Sequence, residues 1–338
     1  MAERRRGWRS RLTLALLGTI IAALAVEVAV RLATHAPLLA LGGPQGERYV
    51  DVHPVVGRLP KSNISLRMPK GFTITTGAHG TRSNGPTPPR AERPLVLATG
   101  DSFAFGDEVD DQDSWPAVLE RLSGGRVINA GVPGFGLDQA VLRAEQLAPV
   151  YQPDTIVVGF IPHDVLRCEM SFWSGNPKPY FTVEGDALRA QPAPEPVRSA
   201  LDPLKWLLST SVTMDMLFPT FVHWTGPREL RVHDQGGRVA CLLMPRLAAL
   251  ARERHLRAVV MAQPQQPDDT AEDAALARGV LDCARAAGLE VLDLLPVVAA
   301  LPPAQRESLF HGHMTAAGNR LVGEQLAAFL ARPPARER

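Results

Sequence analysis

"PLVLATGDSFAFGDE" (94–108) opens as an apolar run, closes on Gly100 and continues into polar residues. A short apolar run bounded by glycine reads as a strand buried on both faces. Gly100-Asp101-Ser102 then lies where that strand gives way to a loop at its carboxyl end. Two further runs repeat the pattern. "RVINAG" (126–131) leads into the glycine-rich turn "NAGVPGFG" (129–136), and "TIVVGFI" (155–161) into "GFIPHDVLR", with His163 and Asp164 at the strand end. After a polar and aromatic insert, 166–235, without strand–helix rhythm, "RAVVMAQ" (257–263) and "EVLDLLP" (290–296) resume it.

Helical patterns alternate with these strands at 114–122, 137–151, 238–255, 270–288 and 315–331. Ser114 and Thr315 stand as N-caps, and Pro116 falls in a first turn. The alternation predicts an α/β domain over 94–332, a parallel sheet of about five strands in a three-layer sandwich. Ligands in such sheets bind beyond the carboxyl ends of the strands.

Lys and Arg number 36 and Asp and Glu 35, a balance that argues against nucleic acid as partner. An arginine-rich tail (1–11) precedes fifteen uncharged residues, "LTLALLGTIIAALAV", then Glu27 and Arg31 four apart on one helix face. The run predicts an anchor over 12–33, with the tail held in the cytoplasm and the rest outside it. A cleaved signal peptide is the competing reading. Residues 34–93 read as a linker and an extended arm, "ISLRMPKGFTITTGAHGTRSNG" being a short hairpin, and 333–338 as a tail. The insert segment "DPLKWLLSTSVTMDMLFPTFVHW" is apolar, but Lys205 and Asp215 interrupt it. It reads as a lid or interface in preference to a second membrane contact. In an oxidising compartment a Cys168–Cys241 bridge is open to the three cysteines. The alternative is three small buried apolar residues.

Three successive strand ends present Ser102, the backbone N–H groups of 131–136, and His163 with Asp164 at one sheet edge. Near the C-terminus "SLFHGHMTAAGN" (308–319) adds His311 and His313 before a capped helix. A serine after a strand also caps turns, and glycine-rich strand ends are common. The convergence carries more than any one motif.

Gly100-Asp101-Ser102, the "NAGVPG" turn, the polar group after the third strand and the C-terminal histidine resemble the SGNH, or GDSL-type, serine hydrolase superfamily. The likeness is greatest to bacterial membrane-anchored members. It implies a flavodoxin-like fold, no cofactor or metal, and acyl esters as substrates, cleaved or transferred. It implies Ser102 as nucleophile and first oxyanion donor, Gly134 as second donor, His313 as base, and Gly100, Asp101 and Asn129 in support. Two positions depart from the pattern. His163 stands where an asparagine donor is expected. Phe310 and His311 stand where the carboxylate that orients the base is expected, which leaves His311 or Asp164 for that role.

The implied activity is an acyl esterase or acyltransferase, with envelope carbohydrate as one implied substrate, in an inner-membrane protein whose domain faces the periplasm. Two alternatives stand beside it: a catalytically impaired binding or assembly factor for an envelope polysaccharide, and a metal site made of His163, Asp164, His311 and His313. The acidic run "DEVDDQD" (107–113) reads as a solvated loop, and "KPYF" (178–181) with Trp173 as insert packing or a pocket wall.

Overall fold

The computed structural model describes residues 2–33, 38, 49–68, 70–195, 200–209, 211–217 and 229–333. Contacts divide the chain into two units, Met1–Arg48 with Val197–Thr225, and Tyr49–Pro196 with Gly226–Arg338.

In the first unit α1 (Ala2–Ala33) contains Arg11–Ala33, the one segment among the described residues long and apolar enough to cross a membrane. Glu27 breaks its apolar surface and is fully used. It pairs with Arg31 Nε at 2.7 Å and accepts from Ser211 Oγ (2.7 Å) and the N–H groups of Val212 (2.8 Å) and Thr213 (3.1 Å). It thereby caps a short helix, Val212–Leu217, that follows another at Asp202–Ser209. Of the predicted linker, 34–48 lies outside the described residues apart from Leu38, as do 218–228 of the insert and 334–338 of the tail.

In the second unit the sheet comprises β1 (Leu95–Thr99), β2 (Arg126–Asn129), β3 (Thr155–Phe160), β4 (Arg257–Ala262) and β5 (Glu290–Asp293). All pairings are parallel, in the order β2-β1-β3-β4-β5. This is the flavodoxin-like order, whose switch point lies between β1 and β3. Residues at successive strand positions face opposite layers. Leu95, Leu97, Ile156, Val158 and Val260 pack with Val141, Leu243 and Val280 of α4 (Leu137–Tyr151), α6 (Gly236–Arg254) and α7 (Ala271–Ala286). Val96, Ala98, Val157 and Val259 pack on the other face with Trp115, Leu119, Val322 and Leu326 of α3 (Trp115–Ser123) and α8 (Ala316–Leu330). The three-layer expectation is met. Two one-turn helices complete the strand ends, α2 (Ser102–Phe105) after β1 and α5 (Pro162–Arg167) after β3.

The arm forms two antiparallel hairpins, Val50–His53 with Gly57–Pro60 and Ser65–Arg67 with Thr73–Thr75. The insert is more regular than its composition predicts. Met170–Trp173 pairs with Asn176–Pro177 and Glu229–Arg231, and Tyr180–Glu184 with Ala187–Gln191. Neither cysteine reading holds in full, the Cys168–Cys241 bridge or three unpaired buried residues: Cys241 pairs with Cys283, because α6 and α7 lie side by side. Cys168 is buried and free.

Candidate active site

The turn after β1 is shaped by contact. A Cβ on Gly100 would come 2.5 Å from the Gly159 carbonyl of β3 and 2.7 Å from Ala104 Cβ, so only glycine lets the two strand ends close on each other. Asp101 then caps α2, its Oδ1 accepting the Phe103 N–H at 2.9 Å. Ser102 is the first residue of that helix. Its N–H is therefore one of the donors that a helix start leaves over.

The opposite wall comes from the C-terminus. Phe310–His311 and His313–Met314 form a hairpin around Gly312, and Thr315 caps α8 directly behind it. Asn319 of α8 accepts the buried Trp115 N–H of α3 at 2.9 Å, which fixes where the hairpin lands. His313 Nε2 lies 3.0 Å from Ser102 Oγ, and the ring packs against Phe103 at 5.3 Å. Nδ1 is shielded from solvent and has no hydrogen-bond partner among the described residues. Glu108 Oε1 lies 3.7 Å from it, and Glu108 Oε2 lies 3.5 Å from the His313 backbone N–H. Burial alone would raise the Glu108 carboxyl. The hydrogen bond from Lys70 and the His313 charge outweigh burial and hold it below the ordinary carboxylate value.

The nucleophile loop is tied down by Arg82, a buried residue of the arm. Its guanidinium donates to the carbonyls of Phe105 (2.9 Å), Gly106 and Val109 (2.6 Å) and to Asp111 Oδ1 (3.1 Å). Asp110 and Asp111 accept the Thr73 and Thr75 N–H groups at 2.7 and 3.0 Å. The acidic run is thus a set of acceptors for the arm, not a solvated loop. Asn129 braces the same loop, donating to the Phe105 carbonyl at 3.2 Å and accepting from Gly131 N–H at 3.2 Å.

At the β3 end Arg167 gathers the remaining groups. Its Nη1 donates to Asp164 Oδ1 (2.6 Å) and the Phe135 carbonyl (2.8 Å) and lies 3.5 Å from Asp101 Oδ2. Burial raises both carboxyls above the ordinary value, and Arg167 counters it in each. Arg167 Nη2 is 3.3 Å from His163 Nδ1. Arginine only donates, so Nδ1 accepts and the ring proton sits on Nε2. Burial and the Arg167 charge lower the His163 pKa to about 4, so the ring is neutral at physiological pH. Trp173 stacks on the guanidinium (4.6 Å) and meets the His163 ring edge-on (4.9 Å). The same indole covers Gly134, whose N–H has no acceptor among the described residues.

The structure therefore brings Ser102 and His313 together, with Asp101 and Asn129 in supporting positions. Two expected residues do not join them. Asp164 is buried and committed to Arg167 and the Ile161 N–H (3.1 Å). His311 is exposed across the hairpin. For the same reasons the four-residue metal site is not formed, and among the described residues no group of three or more His, Cys, Asp or Glu is placed to hold a metal. "KPYF" is packing: Lys178 Nζ is buried on Asp138 (2.7 Å), and Phe181 sits in the core. Glu108, Arg82 and Arg167 were not singled out from the sequence. The i,i+4 spacing of His163 and Arg167 on α5 was the local signal for the last of these. A groove of about 580 Å³ opens beside His313, lined by Lys70, Phe72, Glu108, His311 and Thr315 among others.

No family model matches the sequence, and no curated protein does. Among solved structures, the chain is similar to a protein of the G-D-S-L family from Desulfitobacterium hafniense DCB-2 (17% identity, 70% of this chain, 99% of that one, TM-score 0.39). It is also similar to TesA (16%, 70% and 97%, TM-score 0.40). A third similar structure is a catalytic mutant of Axe2, an acetylxylan esterase from Geobacillus stearothermophilus (15%, 74% and 100%, TM-score 0.40).

Proposed function

We propose that the chain is a serine esterase or acyltransferase of the SGNH type. The observation that carries this reading is the 3.0 Å contact between Ser102 Oγ and His313 Nε2 at the sheet's switch point. His313 Nε2 takes the serine proton as Oγ adds to the ester carbonyl, then delivers it to the leaving alcohol. Water completes hydrolysis, and a second hydroxyl completes transfer. The oxyanion is held by the N–H groups of Ser102 and Gly134 and by His163 Nε2–H, which replaces the expected asparagine amide.

The groove beside His313 carries Lys70, Glu108, Asp110, Asp113 and His311 beside the apolar Phe72, Val109 and Met314. Its polar groups can meet a polyhydroxylated alcohol, and the proposed substrate is an acyl ester of envelope carbohydrate. The proposed site of action is outside the cytoplasm, with α1 as a retained single-pass anchor. Two observations support this. Cys241–Cys283 is a bridge of the kind that persists in oxidising compartments. Glu27 of α1 also supplies the acceptor for Ser211, Val212 and Thr213, a partnership that cleavage would end.

The test is p-nitrophenyl acetate turnover by the full chain in detergent. Ser102→Ala and His313→Ala should each remove nearly all of it, leaving only the background catalysis of binding and the oxyanion donors. Turnover equal in wild type and both variants would overturn the enzyme and leave a binding or assembly factor.

A further inference from the structure

We propose that Glu108, on the nucleophile's own loop, is the positioning carboxylate for His313, in place of the hairpin acid that this chain lacks. The inference rests on the Ser102–His313 reading above. Neither residue at the expected place is acidic: Phe310 packs against the core, and His311 is exposed. Glu108 instead approaches His313 from across the site with both oxygens, Oε1 toward Nδ1 (3.7 Å) and Oε2 toward the backbone N–H (3.5 Å). When Nε2 accepts the serine proton, Nδ1 carries the other ring proton and needs an acceptor. Nδ1 is shielded from solvent and has no other partner among the described residues.

Both backbones are shaped around this approach. Glu108 holds φ +67°, a conformation that side-chain-bearing residues rarely adopt, and the Asp107 carboxylate accepts its N–H at 3.2 Å. Across the gap Gly312 holds φ +82°, and a Cβ there would lie 3.1 Å from Glu108 Oε2. The glycine between the two histidines is thus the residue that admits the carboxylate. Arg82 fixes the loop on either side of Glu108 through the carbonyls of Phe105 and Val109. Lys70, at the tip of the arm hairpin, donates to Oε1, the same oxygen that faces Nδ1. Lys70 therefore keeps Glu108 ionised and shares it with the base.

The experiment measures kcat and KM of the full chain for p-nitrophenyl acetate in wild type, Glu108→Gln, Glu108→Ala and Glu108→Asp, with and without added formate. Replacing the equivalent carboxylate in a serine protease lowers kcat about 10⁴-fold. Here Glu108→Gln and Glu108→Ala should lose about 10³–10⁴-fold in kcat with KM changed only a few-fold. Formate should restore part of the Glu108→Ala activity and none to Ser102→Ala, and Glu108→Asp should retain more than the amide. Glu108→Gln within about threefold of wild type, while wild-type turnover depends on Ser102, overturns the inference and leaves the nucleophile standing. A loss that formate and aspartate both fail to relieve assigns Glu108 to loop structure and overturns it equally. Wild-type turnover that ignores Ser102→Ala overturns the underlying reading instead.

Discussion

His163→Ala isolates the most unusual donor of the site. The side chain is held from two directions, Arg167 Nη2 at 3.3 Å on Nδ1 and the Trp173 ring at 4.9 Å, and the backbone N–H of the same residue is bonded to Gln265 Oε1 at 3.1 Å. A donor held this way requires no reorganisation when charge develops on the carbonyl oxygen. Loss of one such donor costs roughly 10²–10³ in kcat, or about 2.7–4 kcal/mol of transition-state stabilisation. The donor acts on the oxyanion and not on the bound ester, so the loss falls on kcat and KM stays nearly constant. His163→Asn restores an N–H donor of the expected kind and should recover most of the loss. Steady-state kinetics on p-nitrophenyl acetate reads both variants. Because the His163 pKa is held at about 4, the ratio of wild-type to His163→Ala activity should be flat from about pH 6 to about pH 8. His163→Ala within about threefold of wild type, or a loss confined to KM, would refute the donor assignment.

Two stability predictions follow from buried charge and covalent linkage. Arg167→Met leaves Asp101 and Asp164 buried without their shared cation and should cost about 3–5 kcal/mol near neutral pH. Both carboxyls already titrate above their unfolded value, and a raised acid stabilises the fold at low pH and loses that contribution as pH rises through its folded value. The variant should therefore approach wild type below about pH 4 and fall furthest behind at about pH 8. Urea midpoints at the two pH values check this, and a pH-independent deficit would count against it. Cys241→Ser with Cys283→Ser opens a loop closed over a separation of 42 residues. Chain entropy assigns that bridge about 4 kcal/mol, which calorimetry should register as a fall in Tm on the order of 10 °C.

The sheet was legible because each of its strands is a short run of apolar residues with a turn signal at its end. "TIVVGF" has no polar side chain after Thr155, and Thr155–Phe160 is buried along its whole length. Two helix starts were legible from their caps, Ser114 and Thr315, both of which accept from the first turn, and Thr270 caps a third helix in the same way. Ser102 and His313, which the structure brings together, could be singled out because each sits beside a local signal, a strand end and a capped helix. Glu108 had no such signal. In one dimension it is a single acid among several, and only tertiary placement of the hairpin distinguishes it from Asp107 or Asp110. The cysteine pairing was not legible for a related reason: α6 and α7 become neighbours by packing side by side on one face of the sheet, which spacing does not report. The insert strands do carry one local signal. Gly185-Asp186 is a two-residue hairpin turn, with Gly185 at φ +62° between paired Glu184 and Ala187.

The hydrogen bond from Trp115 N–H to Asn319 Oδ1 also bears on the order in which the molecule becomes reactive. His313 follows Ser102 by 211 residues and reaches it only when α8 docks on α3. A chain emerges N-terminus first, so β1 to β5 are all synthesised before the base. Until the final hairpin is seated, Ser102 has no group to take its proton, and the nucleophile stays dormant. A chain arrested or clipped upstream of residue 313 would carry an unarmed serine.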